Sequence, residues 1–518
     1  MRIRYLRMGV ILVILWFSAL GANPVELPGK FVTAEAKISS GGEQTKILKL
    51  GRPFMSHMVL QQKKSIPVWG SAEPNESVTV QIGSQTKIGH PSANGSWRVV
   101  LDPMVPGSPL KMTIKASGGA RIILEDILVG EVWLCAGQSN MEFKLSQAQG
   151  GKEAVLSSNH PEIRLFNLTG IVRPDPVAWD QVALERINRK DFFEGKWEAC
   201  SPESSANFSA IGYFFGATLA ASRAVPVGLI ELAVGGAPAE SFVSRERLEK
   251  DTILKKILSN WKSNELVMSW CRERAAQNLA NSVDPQQRHP FEPAYLYESG
   301  ISLLAGFPIR GVIWYQGESN AHNAGLYELL LPALVDSWRK GWKSGKLPFY
   351  FAQLSGMERK EWPEFRDTQR RISKSLSNTG MVITFDLGDS LNVHPTRKKE
   401  IGVRFAALAR HELYGETKAP RSPELKKLEW MKDQLILTFN FSDALKTTDG
   451  AVVREIEVAG ADGNFIPVLV GIFKNKLMVE TKGLDPKIIR YGWRPFSRGN
   501  LVNEANLPVS TFKYFIEK

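Results

Sequence analysis

Four times in the middle of the chain, a short apolar run stops at a turn of small and polar residues. The four segments are ILVGEVWLCAGQSNMEF, VPVGLIELAVGGAPAES, PIRGVIWYQGESNA and, more loosely, MVITFDLGDSLNVHP. Amphipathic stretches such as IGYFFGATLAASRA and LYELLLPALVDSWRKGW lie between them. Buried-strand runs alternating with helical patterns predict an α/β domain with a mainly parallel sheet. Ligands of such sheets bind at the carboxyl ends of the strands. The four turns are therefore expected on one edge of one sheet, where residues distant in sequence meet.

On either side the pattern changes to period two. VLQQKKSIPVWGSAEPNESVTVQIG, SWRVVLDPM and LKMTIKAS alternate apolar and polar positions between turn signals, which predicts a small β-sandwich. KLEWMKDQLILTFNF, REIEVAGADGNFIPVLVGIFKNKLMVET and IIRYGWRPF read the same way near the other end. The expected layout is an N-terminal β-domain over 46–125, an α/β catalytic domain over 126–418 and a C-terminal β-module over 419–518. Residues 1–22 have the basic start, apolar run and small-residue end of a signal peptide, with a retained anchor as the alternative. An exported protein is expected, periplasmic or extracellular, or secretory and lysosomal in a eukaryote. No second apolar segment reaches spanning length, so no membrane span is expected in the mature chain.

Composition narrows the function classes. The chain has 518 residues and a formal net charge of +12. The basic residues are scattered, without a zinc-finger spacing or another nucleic-acid motif, so no nucleic-acid partner is expected. A basic balance also suits an anionic substrate. The three cysteines, Cys135, Cys200 and Cys271, are too few for a disulfide framework, although one bridge stays open, and none has metal-ligand spacing. No assembly signature is visible.

The turns carry candidate chemistry. Ser139, in GQSNM, follows a buried strand; it is either a nucleophile whose N–H faces an oxyanion or a serine capping the next helix. His394, in NVHP, titrates near neutrality and suits a general base if it shares the edge with Ser139. Gly235-Gly236 offers a closely approaching backbone N–H, or simply a turn. In WYQGESNA, the Gln316 amide is a candidate third oxyanion donor, and Glu318 and Asn320 are candidates to orient neighbours or touch substrate, as are Gln138 and Asn140 beside the serine.

GQSNMEF, AVGGAPAESF, WYQGESNA and HPTRK, in that order, resemble the sialate O-acetylesterase family. The resemblance extends through FMSHMVLQQKKSIPVWGSAEP, KWEACSPESSANFSAIGYFFG and YGWRPFSRGNLVNEANLPVSTF, from about residue 48 to near the end. It implies an SGNH-hydrolase domain of flavodoxin-like, three-layer form between β-sandwich-like modules. It implies hydrolysis of acetyl esters on sugar hydroxyls with no cofactor. Ser139 matches the family's nucleophile and His394 its histidine, with Gly236 and Gln316 at the oxyanion. One position departs: where many SGNH enzymes carry an acid three residues before the histidine, this chain has Leu391. Asp386 and Asp389 are the nearest substitutes, with Asp389 preferred, or a dyad operates with a backbone carbonyl holding the ring. A xylan- or pectin-type acetylesterase on the same scaffold is the first alternative, and a non-catalytic carbohydrate-binding protein the second.

Overall fold

The computed structural model describes residues 47–517 apart from 432, 433 and 482. The expected leader at 1–22 lies outside the described residues. The apolar runs form one sheet, whose main path consists of β1 Arg121–Gly137, β2 His160–Asn167, β3 Trp197–Cys200, β4 Val227–Ala233, β5 Gly311–Tyr315, β6 Phe349–Ala352 and β7 Thr379–Val382. Their order across the sheet is β3-β2-β4-β1-β5-β6-β7. All neighbours are parallel except the edge strand β3, which is antiparallel to β2. Strands β4, β5 and β6 are buried at every position, as continuous apolar runs must be when both faces are covered.

Beyond the one-turn helix α1 Ser139–Glu142, helices α2 Ala210–Arg223 and α5 Lys399–Tyr414 pack together, as do α3 Ala324–Gly341 and α4 Trp362–Ser375. Phe215 of α2 meets Trp133 of β1 edge-on at 4.9 Å, and Trp133 stacks on Tyr350 of β6 at 6.1 Å. Trp338 of α3 meets Trp314 of β5 at 5.8 Å and Phe349 of β6 at 5.7 Å. Phe349 and Tyr350 are successive strand residues and point to opposite faces. The two helix pairs therefore cover opposite faces of the sheet. Trp133, Trp314 and Trp338 are fully buried. Each such ring removes roughly 200 Å² from water, worth at most ~5 kcal/mol before entropy is charged.

The central strand β1 is also the link to the N-terminal β-unit. Its first residues pair antiparallel with Leu110–Ala116, and its last ones lie between β4 and β5. The expected boundary between 125 and 126 thus falls inside a continuous strand. The pairing register slips beside Asp126, which has φ 53°, a left-handed conformation that aspartate tolerates better than most residues. Arg164 grips its carboxylate through both terminal nitrogens, and His57 Nδ1 lies 2.8 Å away.

Beyond α5 the chain forms two four-stranded antiparallel sheets with a core of their own, including Leu437, Val458, Ile489 and Phe512. Arg366 of α4 ties this module to the α/β layer. Its buried guanidinium donates to Thr511 Oγ1 at 3.0 Å, Pro495 O at 2.8 Å and Gly492 O at 3.0 Å. Burial pushes its pKa down to about 9. Cys135, Cys200 and Cys271 are buried and free, so none is bridged. Among the described residues no helix is long and apolar enough to cross a membrane.

Candidate active site

From β1 the chain goes to β2, out to the edge at β3, and back to β4 beside β1; it then crosses to β5 on the other side. The direction of winding reverses at β1, and a crevice opens where the carboxyl ends of such strands diverge. Ser139 follows β1, Gly235 and Gly236 follow β4, and Gln316 follows β5. Strand order alone puts these three turns side by side.

Ser139 opens a one-turn helix, Ser139–Glu142. The entry is tight. Gly137 has φ 144°, and a Cβ there would lie 2.0 Å from Tyr315 O, so no side chain fits where β1 meets β5. The carbonyl oxygen of the Gln138 side chain accepts from Gly317 N and Ser319 N, both at 3.3 Å, which locks the β5 turn to the serine turn.

His394 arrives from the loop after β7. Its Nε2 lies 2.7 Å from Ser139 Oγ, within hydrogen-bonding distance. The loop is fastened by its backbone: Asn392 Oδ1 accepts from His394 N at 2.9 Å, Asn140 Nδ2 donates to Val393 O at 3.0 Å, and Gln149 N donates to Thr396 O at 2.9 Å. Burial, then the nearby charge of Lys398, lowers the His394 pKa below the ordinary histidine value. The neutral, proton-accepting ring is thereby favoured to lower pH.

Asp389 does not orient this ring. Its Oδ1 accepts from Leu391 N at 2.8 Å and Asn392 N at 2.9 Å, and the carboxylate is exposed, with a pKa lowered by those two bonds. It shapes the turn, as aspartates in loops do. Asp386 is taken by Arg404, at 2.8 and 2.6 Å. Among the described residues neither a carboxylate nor a carbonyl bonds His394 Nδ1. Replacing Asp389 with Asn, which still accepts both N–H groups, is expected to change kcat/KM less than about threefold; an acid that held the imidazole would cost about 10⁴-fold by analogy with a triad aspartate. A steady-state comparison decides.

Gln316 is the second departure. Its Nε2 donates to Asn320 Oδ1 at 2.6 Å and more weakly to Ala237 O at 3.4 Å, which uses both amide protons. Asn320 fixes that orientation: its Oδ1 also accepts from Ala239 N at 2.9 Å, and its Nδ2 donates to Glu240 Oε2 at 2.8 Å. Gln316 and Asn320 thus brace the turn after β4 rather than offering a donor at the serine. The backbone donors remain. The N–H groups of Ser139 and Gly236 have no acceptor among the described residues. Gly236 has φ 74°, and a Cβ there would lie 2.4 Å from the Trp270 ring. Ser319 Oγ donates to Gly236 O at 2.9 Å, and the Gly235 N–H donates to the partly buried Glu142 carboxylate. The turn is held from both sides.

Sequence reasoning missed Lys398, four residues after the histidine in HPTRK. It is fully buried, and its Nζ donates to Asn140 Oδ1. Asn140 Nδ2 in turn donates to the buried Glu318. Lys398 also lies 4.7 Å above the Phe143 ring, and burial pushes its pKa down to about 7. Burial raises the Glu318 pKa against the pull of Asn140 and Lys398. The three groups form a strut between the serine turn, the β5 turn and the histidine loop. Lys398→Met removes a positive charge near the imidazole, so the His394 pKa rises. The acid limb of the kcat/KM profile is then expected to move to higher pH. Glu318 keeps its bond from Asn140 but loses the favourable charge of Lys398, so the variant is also expected to melt at a lower temperature. A pH–rate profile run beside thermal melts checks both.

A serine hydroxyl against an imidazole, at the carboxyl edge of a parallel sheet and beside unengaged backbone donors, is the arrangement that acyl transfer by a serine nucleophile requires. The profile described as "Carbohydrate esterase, sialic acid-specific acetylesterase" matches residues 292–410. The sialate O-acetylesterase of Mus musculus is 28% identical over 442 residues, 76% of this chain and 78% of that protein. That of Homo sapiens is 27% identical over 423 residues, 74% of this chain and 75% of that protein. The crystal structure of a carbohydrate acetylesterase from Xanthomonas citri is 30% identical, with a TM-score of 0.75, covering 90% of this chain and 99% of that one. The chain belongs to this carbohydrate esterase family of sialic acid-specific acetylesterases.

Proposed function

We propose that Ser139 and His394 carry out the reaction, in an SGNH-hydrolase domain between two β-sandwich-like modules, on an acetyl ester of a carboxylated sugar. The single observation that carries this is the 2.7 Å approach of His394 Nε2 to Ser139 Oγ at the switch point of the sheet. His394 accepts the hydroxyl proton as Oγ attacks the acetyl carbonyl carbon. The N–H groups of Ser139 and Gly236 donate to the oxyanion, each such donor being worth ~3 kcal/mol. The bond from the carbonyl carbon to the sugar oxygen breaks, and the imidazolium protonates the departing alkoxide. Water, deprotonated by the same ring, attacks the acetyl-serine, releases acetate and restores the hydroxyl. With no acid on Nδ1 the pair works as a dyad, oriented by the pinned loop.

Charge favours an anionic sugar. The net charge is +12, and the exposed Arg173 and Arg359 lie close enough to Glu142 and Glu318 to act on their ionisation. The best-supported substrate is an O-acetylated sialic acid; acetylated pectin is carboxylated too, whereas acetylated xylan is largely neutral. Acetate release from the three, each run beside Ser139→Ala, tests the reading. The expected order of kcat/KM is sialic acid, pectin, xylan, and a tenfold preference for xylan overturns the anionic-sugar assignment. The basic-apolar start of the chain supports export, to the periplasm or the medium.

A further inference from the structure

A groove of about 460 Å³ lies between the N-terminal β-unit and the C-terminal end of α3, well within the ~300–1,000 Å³ of small-molecule sites. Two partly exposed indoles, Trp69 and Trp342, line it together with Lys64, Arg98 and Lys343, and no carboxylate does. Trp69 is set by edge-on packing against Phe54 at 4.7 Å, and Trp342 by donating its Nε1–H to Phe307 O at 2.8 Å. Both rings are thus fixed before any ligand arrives, which lowers the cost of binding. Lys64 is fixed too, its Nζ donating to Ile309 O at 2.8 Å. Arg98 and Lys343 are exposed, and among the described residues their side chains make no ion pair or hydrogen bond. Elsewhere the basic side chains commonly find carboxylates, as with Arg404–Asp386 and Arg288–Glu292. The C-terminal end of α3 contributes about half a negative charge, which three full positive charges outweigh.

We propose that this groove is a second, non-catalytic binding site for a carboxylated sugar residue of a glycan, with the pyranose against the indoles and the carboxylate met by Arg98 and Lys343. Indole faces suit the C–H faces of sugars, and guanidinium suits a carboxylate. The site is remote from the serine. Ile309 precedes β5, at the amino end of the strand whose carboxyl end leads to Gln316, and the five residues of β5 alone span roughly 13 Å. One sugar cannot reach both, so the groove acts on binding and not on the chemical step.

The test uses the full chain and its double variant Arg98→Glu, Lys343→Glu, which changes two exposed side chains that make no ion pair or hydrogen bond among the described residues. Titration calorimetry is run with 3′-sialyllactose, with a galacturonic acid trisaccharide and with lactose, beside kcat on 4-nitrophenyl acetate. The expected result is measurable binding of at least one carboxylated ligand, weakened at least tenfold in the variant, with kcat within twofold of the parent. Equal affinity in the two proteins, lactose binding as tightly as the acids, or no binding of either acid by the parent overturns the proposal. Neither the calorimetry nor the kcat comparison depends on which acetylated glycan the enzyme hydrolyses.

Discussion

Ser139→Ala is expected to lower kcat/KM on an acetylated sugar or an aryl acetate by about 10⁴–10⁶-fold while the protein melts at nearly the parental temperature. The size follows from serine hydrolases in which removal of the nucleophile leaves only binding and oxyanion stabilisation. The unchanged stability follows from the local structure. Among the described residues the hydroxyl makes one bond, to His394, and alanine is a good helix former at the start of Ser139–Glu142. Loss of one partly exposed hydrogen bond costs on the order of 1 kcal/mol. Labelling by a fluorophosphonate should vanish with the activity. A variant that kept full turnover would remove Ser139 from the chemistry.

His394→Ala should cost a similar factor and leave a distinct pH signature. In the parent, kcat/KM falls on the acid side as the imidazole gains a proton. Burial and Lys398 disfavour the imidazolium, so that limb should have an apparent pKa below the ordinary histidine value near 6.5. Without the ring no group replaces it: Asp389 is bound to its own turn and Asp386 to Arg404. The residual rate of the variant should therefore lose the acid limb and rise with hydroxide concentration. If the variant retained a limb of unchanged apparent pKa, the titrating base would have to be another residue.

Much of the site was readable because each turn advertises itself locally. GQSN, AVGG and the QGESN turn all follow apolar runs, and a run of that kind dictates a buried strand whatever surrounds it. What each turn does with its side chains was less legible. Gln316 carries an amide, and an amide near a serine reads as an oxyanion donor; only the packed structure shows its protons directed to Asn320 and Ala237. Asp389 lies close to the histidine in sequence, yet its nearest donors are the N–H groups of its own turn, which a linear reading weighs no better than the imidazole. Lys398 escaped notice because a lysine in a basic run reads as a solvated charge. Its burial depends on Asn140 and Glu318, respectively 258 and 80 residues away along the chain.

The sequence by itself determined the kinds of element, the identity of the nucleophile and base candidates, and the family resemblance, because strand burial, turn chemistry and motif order are local or additive along the chain. The tertiary structure alone decided which side chains face the serine. Winding that reverses at β1 brings three turns together, and competition among nearby donors and acceptors then assigns each polar group its partner. That competition depends on distances across the fold, which no local pattern of residues encodes.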